Sequence, residues 1–186
     1  MIPAFNLSGV LPPFAGASPS AVPGMSPYSC SMLELSQRFC TSAARVALFN
    51  GLVRYRQAVV STGIADGYQW LDGSFCEDIE HSERRDPRDI DLVTLFVRPS
   101  TLFDAGAWAN FVTKNQDLFD RVKVKDKYAC DTYYVDLALG PGVLTQVTYW
   151  FGLFTHQRAT LQWKGILSIP LTSDDSDASK HANSLV

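Results

Sequence analysis

The sequence is short of several things, and each absence narrows its class. It has no basic excess: 16 Lys and Arg stand against 19 Asp and Glu, a net charge of −3. That excludes a protein that coats nucleic acid or binds a membrane through a polybasic field, since both need strong positive potential. It has no CxxC pair. Cys30, Cys40, Cys76 and Cys130 are scattered, and only 3 His could join them, so no structural zinc site is expected. They read as reduced, mostly buried thiols of a cytoplasmic protein. No apolar run reaches spanning length without Pro, Gly or charge, and no basic region opens the chain, so neither membrane contact nor a signal peptide is expected. No charged side chain precedes Glu34.

What is present suits one domain with tails. The chain has 186 residues, 46% of them hydrophobic and 12% aromatic, enough for a sizeable core. Six prolines, from Pro3 to Pro27, fall before Glu34, which excludes a helix there. Residues 1–30 are therefore expected to form an extended arm, partly docked through Phe5, Leu7, Val10, Leu11 and Phe14. Residues 31–172 form the domain, and the Ser/Asp/Asn-rich residues 173–186 a flexible polar tail.

Within the domain, Met32, Leu35, Phe39, Ala43, Val46, Phe49 and Val53 recur at helical steps, with Gly63 as the stop. Residues 68–72 and 89–97 read as strands, the second almost wholly apolar after its acids, as a central strand should be. A helix is expected from Ser100 through Leu118. Residues 121–127 alternate basic with other residues, which places Arg121, Lys123, Lys125 and Lys127 on one face of a strand. Residues 128–139 and 165–171 read as further strands, and 144–158 as a helix. The order is α-β-α-β-α-β-β-α-β, an α/β or α+β domain with a mixed sheet flanked by helices.

Two features in residues 70–96 carry chemistry. Asp89 and Asp91 alternate at the mouth of the apolar strand, so both side chains lie on one side, about 7 Å apart along it. Two such carboxylates suit a divalent cation, which takes hard oxygen ligands. A lone DxD is ordinarily a solvated strand end with Arg85 or Arg88 beside it. Gly73-Ser74 closes the preceding strand, where glycine admits close backbone approach and serine offers its hydroxyl and N–H to a phosphate. Alone this is a turn and an N-cap. Ser74 and Asp89 lie 15 positions apart, room for one short helix and a loop between neighbouring strands. Glu77, Asp78 and Glu80 suit the start of that helix, and Arg84, Arg85 and Arg88 could grip phosphate.

This GS…DxD pattern resembles the polymerase-beta-type nucleotidyltransferase superfamily. The segments IPAFNLSGVLPPF, GYQWLDGSFCEDIE, DPRDIDLVTLF and YWFGLFTHQRATLQWKGILSIPL are similar to a small bacterial nucleotidyltransferase-like family within it. The resemblance implies that Gly73, Ser74, Arg88 and Lys164 bind the nucleotide and that Asp89 and Asp91 bind metal. A third acid on a later strand is implied as ligand or base. Asp131 and Asp136 both qualify but face opposite sides by parity, and Asp131 is favoured as the nearer to its strand's start. The implied activity is metal-dependent transfer of an NMP, AMP in particular, from an NTP to a hydroxyl on a protein, a small molecule or an RNA end. Mg²⁺ or Mn²⁺ would be the cofactor, and a toxin–antitoxin or phage-defence module the setting. The alternative is an inactive nucleotidyltransferase-fold module that senses nucleotide or docks a protein partner through its arm.

Overall fold

The structure is a computed structural model that describes residues 1–18, 24–158 and 160–186. Positions 19–23 of the expected arm lie outside the described residues. In chain order the elements are β1 (Tyr28–Ser29), α1 (Met32–Phe39), α2 (Ala43–Ser61), β2 (Gly67–Asp72), α3 (Ile79–Ser82), β3 (Ile90–Phe96), α4 (Ala105–Lys114), α5 (Gln116–Phe119), α6 (Arg121–Tyr128), β4 (Cys130–Asp136), α7 (Val143–Phe154), β5 (Leu167–Pro170) and α8 (Asp175–Asn183). The strands form one mixed sheet in the order β1-β5-β2-β3-β4. β3 runs antiparallel to β2 and parallel to β4. The expected α/β class, a mixed sheet flanked by helices, is the architecture found.

Alternation along the strands divides the sheet into two faces. Leu71, Leu92, Phe96, Cys130 and Ile169 pack with α1, α2 and α8 in the larger core. Val93, Leu95 and Val135 point the other way, where Val147, Trp150, Phe151 and Phe154 of α7 cover them. All four cysteines are free and buried. Among the described residues no helix is long and apolar enough to cross a membrane.

Four expectations are corrected. The first helix is two helices: Ser31 and Glu34 form a capping box for α1, and Ser42 restarts the chain by accepting the Arg45 N–H. The helix expected from Ser100 begins instead after Asp104, whose carboxylate accepts the Ala107 N–H, and breaks at Asn115. Residues 121–128 are helix α6, not a strand. Asp120 caps it by accepting the Val122 and Lys123 N–H groups, and Val124 and Tyr128, four apart, supply its buried side. Residues 173–186 do not fray: Ala178 and Ala182 of α8 are fully buried, and Ser36 Oγ meets His181 Nδ1 at 2.5 Å.

The arm is part of the domain through residues 9–14. Val10 and Leu11 are buried, Gly9 O accepts the Asp78 N–H at 2.8 Å, and Leu11 O accepts the Gly165 N–H at 2.7 Å. It thereby fixes the two segments, 77–78 and 164–165, that frame the site below.

Candidate active site

Pairing register brings three aspartates into a row. Asp72 ends β2 opposite Asp91 of β3, and Asp91 lies beside Asp131 of β4. Neighbouring strands are about 4.8 Å apart, so side chains in register on the same face are within mutual reach. All three leave the sheet on its α7 face, where they line a cleft of about 630 Å³. That volume is in the range of small-molecule sites. Asp89 lines the same cleft one pleat away.

The turn after β2 is built against the row. Gly73 has φ +81°, and a Cβ there would overlap the Asp91 carboxylate, so only glycine fits both backbone and neighbour. Ser74, half-buried, opens a single 3₁₀ turn. Arg45, buried on α2, fastens the following segment. Its guanidinium donates to Phe75 O and Glu77 O at 2.7 Å each and pairs with Glu80. The bond from Arg45 holds Glu80 below the usual carboxylate range.

The charges are unevenly settled. Lys164, 4% exposed, lies 2.8 Å from Asp72 Oδ1 and pairs with Glu77, whose other oxygen accepts from Gln157 at 3.1 Å. Burial opposes the charge on Lys164, but the two carboxylates outweigh it and hold its pKa above the lysine range. Burial pushes the Asp72 carboxyl up against the pull of Lys164. On the other side, Arg121 Nη2 donates to Asp131 Oδ2 at 2.6 Å and draws its pKa down. Lys125 pairs with Asp89 and lies 3.3 Å from Asp131 Oδ2. Asp91, between these systems, has no ion pair among the described residues. Burial, then the charges of Asp89, Asp72 and Asp131, push its carboxyl up to about 6.

The expected site residues divide accordingly. Gly73, Ser74, Asp89, Asp91 and Asp131 meet at one cleft, whereas Asp136 lies at the opposite end of β4, paired with Arg98. Lys164, expected to bind nucleotide, lines the cleft and is paired there with two acids, Asp72 and Glu77. Arg88 is exposed and is not among the cleft residues, whereas Arg85, Arg121, Lys125 and Arg158 are. Sequence reasoning missed Asp72, whose local signal was only its place before the Gly73 turn, and ranked Glu77 too low. The basic residues of 121–127 do not share one face. Arg121 and Lys125, one helical turn apart, reach the acids, while Lys123 pairs with Asp117.

A divalent cation is implied by the resemblance, and the donor set can be tested against one. Among the described residues no group of three or more His, Cys, Asp or Glu could hold a metal ion as the side chains stand. The chemistry of the row nonetheless fits: its donors are hard carboxylate oxygens, Asp91 is without a counter-charge, and one ammonium, Lys125, is already accepted between Asp89 and Asp131.

Residues 3–170 match a family described as a family of unknown function, DUF6932, and the chain belongs to it. Comparison with curated proteins and with solved structures finds no match to either.

Proposed function

We propose that this member of the DUF6932 family is a metal-dependent nucleotidyltransferase that moves a nucleoside monophosphate, AMP in particular, from an NTP to a hydroxyl. The observation that carries the reading is the row Asp72, Asp91, Asp131 on three adjacent strands, set against the Gly73-Ser74 turn in one cleft. In the reaction an acceptor oxygen forms a bond to the α-phosphorus, and the bond from that phosphorus to the α–β bridging oxygen breaks. Pyrophosphate leaves, and the hydroxyl proton passes to a cleft carboxylate and then to water. Such a transfer needs positioning and charge neutralisation more than covalent help.

Asp89, Asp91 and Asp131 would hold Mg²⁺ or Mn²⁺, which supplies neutralisation of the polyphosphate and activation of the attacking oxygen. Asp131, its pKa lowered by Arg121, suits a ligand better than a base. Ser74 and Arg85 line the same cleft and would serve phosphate oxygens, Arg85 by giving up Glu83, with which it pairs at 2.7 Å.

A second reading, an inactive module that senses nucleotide or binds a protein partner, is favoured by one observation: Lys125 and Arg121 already satisfy Asp89 and Asp131. The two readings part in a single assay. ATP labelled at the α-phosphate is incubated with the protein, Mg²⁺ and a cell lysate as the acceptor source. Label is expected to move to an acceptor, and Asp89→Ala with Asp91→Ala to lower the rate by about a hundredfold or more. Undiminished transfer by the double variant overturns the assignment, and label moved from a parallel sample of γ-labelled ATP, with none from the α-labelled one, makes the reaction phosphoryl transfer.

A further inference from the structure

Lys125 stands where the proposed activity needs a metal. Its Nζ bridges Asp89, two residues before Asp91 in the chain, and Asp131, the register partner of Asp91 on β4. Arg121, on the same face of α6, closes on Asp131. Both cations are about half exposed, 48% for Lys125 and 55% for Arg121, whereas Lys164 is 4% exposed. They reach the acids from the solvent side on long, rotatable stems, and they can leave without opening the core. Lys164 cannot. Two single positive charges face the three carboxylates of Asp89, Asp91 and Asp131, and the remaining negative charge falls on Asp91, which is without an ion pair among the described residues.

Resting on the reading above, we propose that Lys125 is an exchangeable cation. It occupies the carboxylates of Asp89 and Asp131 until a divalent cation binds, and it then passes to the polyphosphate, with Arg121 as the second phosphate-binding group. The exchange follows from the chemistry of the two cations. An ammonium and a divalent metal compete for the same carboxylate oxygens, and the metal carries twice the charge. A lysine that loses these acceptors finds its nearest strong anion in the phosphates, which it binds as a point charge. The device keeps Asp89 and Asp131 paired before metal binds and delivers positive charge when the triphosphate arrives. Other cations of the same helix serve as internal controls, because Lys123 pairs with Asp117 and Lys127 lies over the Tyr128 ring.

The test measures binding, not turnover. Mn²⁺ binding to the full chain is followed by electron paramagnetic resonance without nucleotide, and inorganic tripolyphosphate binding by calorimetry at saturating Mn²⁺. Lys125→Met is expected to bind Mn²⁺ about tenfold more tightly and tripolyphosphate about tenfold more weakly. Lys123→Met should change neither. Lys125→Gln, with thermal melts of all variants, guards against misfolding. If Mn²⁺ binds wild type and Lys125→Met equally, the exchange is overturned while the metal reading stands. Mn²⁺ binding by Lys125→Met alone overturns the exchange too and makes Lys125 a fixed substitute for the metal. If neither protein binds Mn²⁺, the metal reading and the exchange fall together.

Discussion

Asp131 and Asp136 sit at opposite ends of one strand, both buried and both paired with arginine, yet their surroundings differ. Asp136 accepts from Arg98 Nε at 2.8 Å and from the Ala138 N–H at 2.9 Å, and the arginine stacks over Trp108. Arg98 is itself only 12% exposed, so donor and acceptor are enclosed together. Asp131 is as deeply placed, but its partners Arg121 and Lys125 stand half in solvent, and Lys125 is shared with Asp89. One end of the sheet is a closed electrostatic unit. The other is held by cations that stand half in solvent, and it leaves a neighbour, Asp91, without an ion pair among the described residues. Burial of a carboxylate therefore does not mark a site; the exposure of its partners and the charge left over do.

The sharpest way to break this comparison is to delete each acid. Asp136→Ala leaves Arg98 enclosed without its carboxylate and is expected to cost about 3 kcal/mol of stability. Asp131→Ala releases cations that water can solvate and should cost less than about 1 kcal/mol. Urea denaturation of the metal-free protein measures both. Equal losses would mean that the two ends are built alike.

The glycines at the ends of β2 extend the contrast. Gly67 has φ +134°, and a Cβ there would overlap the Leu95 carbonyl of β3, which cannot move without shifting the strand. Gly67→Ala should cost about 2–3 kcal/mol and leave Mn²⁺ affinity intact in the folded fraction. At Gly73 the overlap falls on the Asp91 side chain, which can rotate away. Gly73→Ala should cost about 1–2 kcal/mol of backbone strain and, by displacing that carboxylate, weaken Mn²⁺ binding. Denaturation and Mn²⁺ titration of the two variants together check this. A Gly67→Ala protein that loses Mn²⁺, or a Gly73→Ala protein that keeps it, reverses the assignment of the two ends.

The local pattern was enough for much of this. Apolar runs bounded by turn residues mark β2, β3 and β5; parity puts Asp131 and Asp136 on opposite sides, and nearness to the strand's start favours Asp131. Asp72 was hidden because its membership of the row depends on the pairing of β2 with β3, and pairing register is a property of two strands, not of one. Residues 121–127 misled because basic residues at alternate positions imitate a strand face. The decisive features were the Asp120 cap and the Val124–Tyr128 spacing. α8 resembles a polar tail in the sequence because its buried side is only Ala178 and Ala182, too small an apolar stripe to stand out in polar surroundings. The neutralisation of Lys164 depends on Glu77, 87 positions away.

A change of charge without a change of shape isolates the charge left over at the open end. In the folded, metal-free protein burial and the neighbouring acids raise the Asp91 carboxyl from 3.8 to about 6. Between those values the folded chain binds a proton that the unfolded chain has lost. Stability therefore falls as pH rises through this window, and the penalty is complete above it. Asp91→Asn removes the charge and keeps the shape. With a chelator present it should gain about 1–3 kcal/mol at pH 7.5, and the gain should vanish below about pH 4, where Asp91 is protonated in both states. Asp136→Asn should do the reverse at pH 7.5, losing stability because Arg98 loses its counter-charge. Denaturation of both variants at the two pH values decides it. A loss on Asp91→Asn at pH 7.5 would mean that Asp91 is already compensated, and the row would then be as closed as the Asp136 end.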